Sequence, residues 1–259
     1  LSVGDPARAQ VDAERRLDIA RNHTATHLLH AALRNVLGEQ VRQGGSLVAP
    51  DHLRFDFTHL IALSEEERTR VQEFVNEAIR RDLPVMSRLA PQKEAVAAGA
   101  LAFFGEKYGE TVRVVEIKSA DGTERVSVEL CGGTHLRRTG EIGFFRIMSE
   151  RSVGSGLRRI EAVTGRGAER FVEAHLKALE KASLRIESPS LLEVPDRIEE
   201  VLTALRNERK RTEALEAQLL RKDAESLLAQ VVRVDVICVI SARVSASSME
   251  RLRETGDFL

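Results

Sequence analysis

Two histidines that lie four residues apart are the first candidates for chemistry in this sequence. His23 and His27 fall in a segment predicted to be helical, residues 16–36. Because residues i and i+4 leave the same face of a helix one turn apart, both imidazoles can approach one metal ion. The metalloprotease motif places a glutamate directly after the first histidine, and Thr24 occupies that position here. The pair therefore indicates a metal site of another kind.

A second pair of possible ligands follows much later in the chain. Cys131 and His135 lie on either side of the sequence Gly-Gly-Thr, directly after an alternating segment that predicts a strand. Glycines allow a sharp backbone turn, so both side chains can point back at one ion. With His23 and His27 they form a set of three histidines and one cysteine, which suits zinc by ligand number and softness. We predict one Zn²⁺ per chain.

The elements that carry these residues alternate irregularly between helix and strand. Apolar spacing predicts helices over residues 16–36 and 71–79, and alternation predicts strands over residues 53–57, 112–117, 126–130, 143–148 and 157–163. Asp121-Gly122 predicts a hairpin turn, and the glycine pair in residues 43–46 is interpreted as a loop. This order predicts an α+β domain with a mixed, mainly antiparallel sheet.

The amino-acid composition changes near residue 165. Of the 17 glycines, 16 lie at or before Gly167, and seven of the nine phenylalanines lie before residue 150. Later residues follow a helical pattern, which predicts a helical hairpin or short coiled coil. We therefore divide the chain into a metal-containing domain (1–165), a helical segment (166–230) and the start of a further α/β domain (231–259).

The later segments carry three specific expectations. Asp196 is the expected N-cap of the second helix. Its apolar seam is formed by Ile198, Val201, Leu205, Leu215 and Leu219. Residues 231–240 predict a single strand in which Cys238 is a buried thiol, and His30, in the first helix, is expected on the helix surface.

Charge and cysteine content exclude several classes of protein. Lys and Arg number 39 against 40 Asp and Glu, a formal net charge of −1, which excludes a strongly basic nucleic-acid binder. Two cysteines indicate a reducing compartment. No apolar run approaches the roughly 20 residues of a membrane span. We expect a cytoplasmic protein without a membrane partner, whose contacts with RNA come from a local patch.

Six stretches together resemble the editing domain of bacterial alanyl-tRNA synthetases. They are HTATHLLH (23–30), QGGSLV (43–48), RFDF (54–57), FGEKYG (104–109), CGGTH (131–135) and RRIEAVTG (158–165). The resemblance covers residues 1–165, and a helical segment followed by a small α/β domain is what those synthetases have next. It implies that the chain is a C-terminal fragment of such an enzyme.

The resemblance implies hydrolysis of alanine tRNA wrongly charged with serine or glycine. A synthetic pocket cannot strongly reject a substrate that merely adds a hydroxyl, so a second site is needed. Thr26 and Gln43 match positions assigned to the editing pocket, and Cys131 is the third candidate catalytic residue. For Thr26 the alternative is a hydrogen bond to the backbone of its own helix.

The sequence is compatible with either a structural or a catalytic role for the zinc ion. Four protein ligands are typical of a closed, structural site, whereas catalytic zinc keeps one position for water. Either Cys131 or His135 yields its place, or the metal only orders the pocket. We favour the second alternative.

Contacts with RNA are predicted for a few basic side chains. Arg151, Arg158 and Arg159 belong to a glycine-containing loop, 151–159, that suits a phosphate, and a plain turn is the alternative. Arg54 and Lys107 are further candidates. The expected partner is the acceptor end of alanine tRNA and not DNA.

Three other interpretations are compatible with the residues. The chain could be a free-standing editing hydrolase that acts in trans, a non-catalytic zinc-stabilised RNA-binding module, or a dimerisation piece that forms a homodimer through its C-terminal region. No phosphate-binding loop of the Walker type is present, so ATP and Mg²⁺ are expected only in an aminoacylation domain upstream.

Overall fold

A capped helix organises the first part of the molecule. The structure, a computed structural model, describes residues 5–102, 109–119, 121–243, 253, 256 and 257. Helix α1 spans Ala13–Leu37 and begins where the Asp12 carboxylate accepts a hydrogen bond from the backbone N–H of Arg15, 3.0 Å away. It ends at Leu37, and its C-cap residue, Gly38, has a φ of +111° that glycine adopts at little cost. The helix predicted over residues 16–36 is confirmed.

Contacts divide the chain into two compact units, residues 1–176 and 177–259. The first unit contains α1, α2 (Glu65–Arg80), the short α3 (Gln92–Ala97) and a 3-10 turn (Thr139–Ile142). Its strands are β1 (Gln43–Val48), β2 (Leu53–Thr58), β3 (Val85–Pro91), β4 (Thr111–Lys118), β5 (Arg125–Leu130), β6 (Phe145–Gly154) and β7 (Leu157–Thr164).

A four-stranded antiparallel sheet in the order β1-β2-β7-β6 covers one side of α1 and α2. Leu53, Phe55 and Phe57 alternate along β2 and are fully buried, with Phe55 paired opposite Ile160 of β7. Burial of each such side chain stabilises the fold by about 1.5–3 kcal/mol. The prediction that residues 53–57 form a strand with an apolar face is confirmed.

A second antiparallel sheet, β3-β4-β5, has its own small apolar core with α3. The predicted hairpin around Asp121-Gly122 joins β4 to β5. Strand β5 lies against α1, and this neighbourhood brings the Cys131 segment to the histidines of α1. The α+β prediction with mainly antiparallel strands is confirmed.

Two predictions in the first unit are corrected. Residues 43–46 were expected to form a loop, but they belong to β1, where a bulge at Gly44 accommodates the glycine pair while the strand pairs with β2. The arginine-bearing stretch 151–159 forms a tight hairpin, which is the turn alternative and not the phosphate-binding loop, because β6 continues to Gly154 and β7 starts at Leu157. Gly156, with φ +71°, makes this turn possible.

The second unit is helical with a short hairpin. Helix α4 (Gly165–Arg185) runs into it from the first unit and is followed by α5 (Val194–Leu228) and the strands β8 (Val232–Val234) and β9 (Ile237–Val239). In the part of the chain that the structure describes, no helix has the length and apolarity to cross a membrane.

Three predictions for the second unit are wrong. Asp196 lies inside the first turn of α5 and is not its N-cap, since the helix starts earlier, with Glu193 before it and a proline in its first turn. Residues 231–240 form two strands and not one, because Asp235 adopts a left-handed conformation (φ +54°) that reverses the chain. Cys238 is therefore exposed on a two-stranded hairpin and not buried. The five seam residues of α5 are 42–64% exposed.

Candidate metal centre

Helix α1 presents His23 and His27 on one face. Their ring centroids lie 5.4 Å apart and the rings stack at an interplanar angle of 23°. Asn22 and Thr164 fix this part of the helix against the sheet, because the Thr164 hydroxyl donates to the Asn22 amide oxygen at 2.7 Å. The histidine pair is thus held on a helix whose own position is set by buried hydrogen bonds.

The turn after β5 delivers the other two side chains. The backbone N–H of Cys131 donates to the carbonyl of Arg113 at 3.0 Å, which continues the pairing with β4 to the first residue of the turn. Gly133 lies so close to His23 that a Cβ at this position would overlap the imidazole ring. Glycine is therefore required at 133 by close approach, and the turn then brings His135 back to α1.

The four predicted ligands converge. The possible ligand atoms of His23, His27, Cys131 and His135 all lie within 4.8 Å of one another. Cys131 Sγ is 3.3 Å from His23 Nε2 and 3.2 Å from His135 Nε2. Tetrahedral zinc ligands, at 2.0–2.3 Å from the ion, lie about 3.3–3.5 Å from one another. The donor set and its spacing fit Zn²⁺.

Glu129 supports this centre from behind. It is 2% exposed, and its carboxylate accepts a short hydrogen bond from Nδ1 of His27. With its Nδ1 proton used in this way, His27 turns Nε2 toward the cluster, and this buried atom has no hydrogen-bond partner among the described residues. An orphaned imidazole nitrogen backed by a carboxylate is the usual arrangement of a metal-bound histidine.

Thr24 supports His135 in a similar way. Its hydroxyl lies 3.3 Å from His135 Nδ1 and accepts a hydrogen bond from the backbone N–H of Leu136 at 3.1 Å. Thr24, which stands where the metalloprotease motif has a glutamate, thus orients His135, a candidate ligand of this site.

Charges in the cluster favour the ionised forms of Cys131 and Glu129. Burial lowers the pKa of His27, but the charge of Glu129 raises it to about 10, so zinc must displace a proton from this ring to bind. Burial raises the pKa of Cys131, but hydrogen bonds from His135 and His23 outweigh burial and lower its pKa to about 3. Burial also raises the pKa of Glu129, yet the charge of His27 and hydrogen bonds from His27 and His30 lower it to about 2. The thiolate and the carboxylate are therefore the prevailing forms at neutral pH.

Sequence reasoning missed Glu129 and misplaced His30. His30 is 4% exposed and donates from Nδ1 to Glu129 at 2.8 Å, so the prediction of a surface histidine is wrong. Two signals could have found them. His23, His27 and His30 follow the spacing i, i+4, i+7 of one helix face, and Glu129 lies two residues before Cys131 on the same strand face.

The remaining predicted catalytic residues lie in different places. Thr26 is buried in α1, and its hydroxyl donates to the carbonyl of Asn22 at 2.8 Å. This is the hydrogen bond to the backbone of its own helix that the sequence analysis gave as the alternative for Thr26. Gln43 starts β1 and donates to the Ser46 hydroxyl at 3.2 Å. It lines a cavity next to His30 and is not part of the four-ligand cluster.

The predicted RNA-binding arginines are paired with carboxylates. Arg158 pairs with Glu150 at 2.5 Å, Arg159 makes a two-pronged contact with Asp56 at 2.6 and 2.8 Å, Arg151 contacts Glu161 at 3.0 Å, and Arg54 lies 3.9 Å from Asp56. Arg151 is the most exposed of these four side chains, at 57%. Lys107 lies outside the described residues.

Comparisons with known proteins find similarity to aminoacyl-tRNA synthetases. Residues 112–161, which include Cys131 and His135, match the family model described as the threonyl and alanyl tRNA synthetase second additional domain. The whole chain is 49% identical to an alanine--tRNA ligase of Chloroflexus aurantiacus, 48% to one of Dehalococcoides mccartyi and 45% to one of Shouchella clausii. The chain spans only 29–30% of the length of these relatives.

Proposed function

Because the whole chain is homologous to one segment of the alanine--tRNA ligases, we propose that it carries their editing activity. The reaction is hydrolysis of the ester that joins serine or glycine to alanine tRNA. Water adds to the ester carbonyl, the bond to the ribose oxygen breaks, and the free amino acid and the tRNA are released.

One observation carries the proposal. The side chains of two segments about 100 residues apart place a thiolate and three imidazole nitrogens around one point. They do so in a chain that is similar to alanine--tRNA ligases. An aminoacyl ester is already activated, so positioned groups that stabilise charge suffice for its hydrolysis. The arrangement needs no covalent intermediate.

His23, His27, Cys131 and His135 would hold the zinc ion. When bound, Zn²⁺ supplies a positive charge that polarises an oxygen and orders the side chains around it. Glu129 and Thr24 orient two of the ligands through Nδ1, which leaves the opposite nitrogen of each ring for the metal. The chain's own contribution is thus a fixed constellation that does not have to rearrange during the reaction.

Thr26, Gln43 and Cys131 are the proposed reaction-site residues. The Thr26 hydroxyl uses its proton on the Asn22 carbonyl, so its oxygen can only accept a further hydrogen bond. The Gln43 amide keeps acceptor and donor capacity beyond its bond to Ser46. The hydroxyl of bound serine would satisfy such groups, and alanine would leave them unpaired.

The proposed partner is the acceptor end of alanine tRNA. Arg151, Arg158, Arg159, Arg54 and Lys107 remain the proposed RNA contacts, and the four described arginines would exchange a carboxylate for a phosphate. Arg151 can do so most easily because it is the most exposed. A homodimer through residues beyond 165 and a cytoplasmic location complete the proposal.

Joining of alanine to tRNA, the activity that names the relatives, is proposed to lie in segments that this chain does not cover. ATP and Mg²⁺ would act there. The match to the ligases continues through residues 166–259, which supports an editing segment of a synthetase over a free-standing editing hydrolase.

Deacylation by two cysteine variants tests the proposal. Cys131→Ser should abolish release of serine from serine-charged alanine tRNA, whereas Cys238→Ser, at an exposed position on the β8–β9 hairpin, should leave the rate unchanged. A chain that binds this RNA and zinc but releases no serine would instead support the non-catalytic RNA-binding alternative.

A further inference from the structure

Arg113 contacts the turn that carries Cys131 at two points. It lies in β4, and its backbone carbonyl accepts the hydrogen bond from the N–H of Cys131 at 3.0 Å. Its guanidinium also donates, through Nη1, to the carbonyl of Gly133. One residue thus holds both the first residue of the turn and the glycine that packs against His23.

The direction of this side chain follows from alternation along β4. Val115 and Ile117, two and four residues further on, share its face of the sheet and are buried, Ile117 in the same core as residues of α1. Glu129, which orients His27, stands opposite Val115 on β5 and belongs to that face as well. The half-buried side chain of Arg113 therefore lies on the face of the sheet that carries the metal centre.

The turn needs such a contact because it contains two glycines. Glycine loses more conformational freedom on folding than any other residue, so Gly132 and Gly133 are costly to order. Beyond the turn, the N–H of Leu136 donates to the Thr24 hydroxyl at 3.1 Å. Within it, the N–H of Gly133 faces Cys131 Sγ at 3.5 Å, and the guanidinium of Arg113 fixes the carbonyl of the same glycine.

The charge of Arg113 opposes zinc binding. Glu116, the carboxylate next in line on this sheet, is paired with Lys118 and Arg125, and no carboxylate among the described residues pairs with Arg113. A positive charge beside a Zn²⁺ site repels the metal ion. Charge and geometry therefore have opposite effects here, and any contribution of Arg113 to zinc affinity has to come from geometry.

We infer that Arg113 is a positioning residue that fixes the Cys131–His135 turn in the conformation in which its ligands face those of α1. By holding the Gly133 carbonyl, it keeps this glycine against His23 and keeps Cys131 and His135 within reach of the helix. Arg113 itself contacts neither the metal nor the ester. The inference rests on the zinc site of the proposed function, and it does not depend on whether the chain hydrolyses an ester.

Zinc affinities of three variants, measured by competition with a chelator, test the inference. Arg113→Gln stays polar but is too short to reach Gly133, and it should bind zinc about 10- to 100-fold more weakly, the usual effect of removing a group that orients a metal ligand. Arg113→Lys keeps the charge and one donor and should fall between this variant and the unchanged chain. Arg88→Gln, at an exposed position on β3 of the same sheet, removes the same charge and should have no effect.

Two results of this comparison would overturn the inference. Tighter zinc binding by Arg113→Gln is the effect expected from charge alone, and equal affinities of Arg113→Gln and Arg88→Gln would show that the contact with Gly133 is irrelevant. If Arg113→Gln does not fold, Arg113→Lys decides. It has to bind zinc at least about threefold more weakly than the unchanged chain, the effect of a weakened hydrogen bond.

The visible absorption of the Co²⁺-substituted chain separates positioning from a general loss of stability. A displaced turn should weaken the thiolate-to-metal charge-transfer band in Arg113→Gln, and Arg113→Lys should recover part of it. A variant with a lower midpoint of thermal unfolding but an unchanged spectrum and zinc affinity would overturn the inference. If the predicted zinc affinities are observed and no serine is released, the proposed function alone fails. If serine is released and Arg113→Gln binds zinc normally, this inference alone fails.

Discussion

Gly133 packs directly against the imidazole of His23, with no room for a side chain between them. Gly132, its neighbour in the same turn, has open space where a Cβ would stand. Gly133→Ala should therefore displace His23 and lower the zinc content measured by atomic absorption, while Gly132→Ala should keep one zinc per chain. Equal zinc content in both variants would show that the turn does not constrain His23.

Glu129 makes a second prediction possible, because it orients His27 without being a metal ligand. Glu129→Gln should weaken zinc binding about 10- to 100-fold, the usual effect of removing a partner of a ligating histidine. Competition with a zinc chelator measures this affinity. Glu124→Gln, an exposed carboxylate on the β4–β5 hairpin, is the control and should have no effect.

The convergence of the four candidate ligands and most elements of the first unit could be predicted because their signals are local. A four-residue spacing on a helix and a cysteine beside two glycines need no knowledge of the rest of the fold. The apolar alternation of β2 likewise identifies its buried face directly.

The parts that were missed depend on partners that spacing does not show. In β5 the alternation of Val126, Val128 and Leu130 draws attention to one face, yet the other face, with Ser127 and Glu129, lies buried against α1. Strand β3 is mostly exposed at the edge of its sheet, so it carries no apolar pattern to detect. Cys238 shows the opposite error. Its apolar neighbours predict a buried strand, but they form an exposed hairpin.

Asn76 links α2 to β6 through its amide. The side chain donates to the carbonyl of Phe145 at 2.9 Å and accepts from the backbone N–H of the same residue at 3.0 Å. Asn76→Ala would leave both buried backbone groups unpaired, and the free energy of unfolding should fall by about 2–4 kcal/mol. Urea denaturation measures the loss. Asn35→Ala, at an exposed position, should stay within about 0.5 kcal/mol of the unchanged chain.

The alkylation rate of Cys131 should depend little on pH once zinc is removed. Its pKa is lowered from the ordinary value to about 3, so the thiolate is already present throughout the range above that pH. Alkylation of Cys131 in chelator-treated chain, followed by mass spectrometry, should change little between pH 5 and 8. A free cysteine, with a pKa of about 8.5, gains close to tenfold in rate per pH unit over this range, and such a rise at Cys131 would refute the prediction.

Arg151 is the clearest test of the proposed RNA contacts. Arg151→Gln should weaken binding of alanine tRNA and reduce the slope of log affinity against log salt concentration by about one. Arg68→Gln, an equally charged exposed residue on α2, serves as the control. Identical salt slopes in all three proteins would remove Arg151 from the interface.

The central claim is that this metal centre belongs to an editing site, and one assay addresses it directly. Alanine tRNA charged with serine and, separately, with alanine is incubated with the chain while zinc is quantified in the same preparation. We expect one zinc per chain and selective release of serine, with the alanyl ester left intact. Equal release of both amino acids, or no release by a fully zinc-loaded chain that binds the RNA, would contradict it.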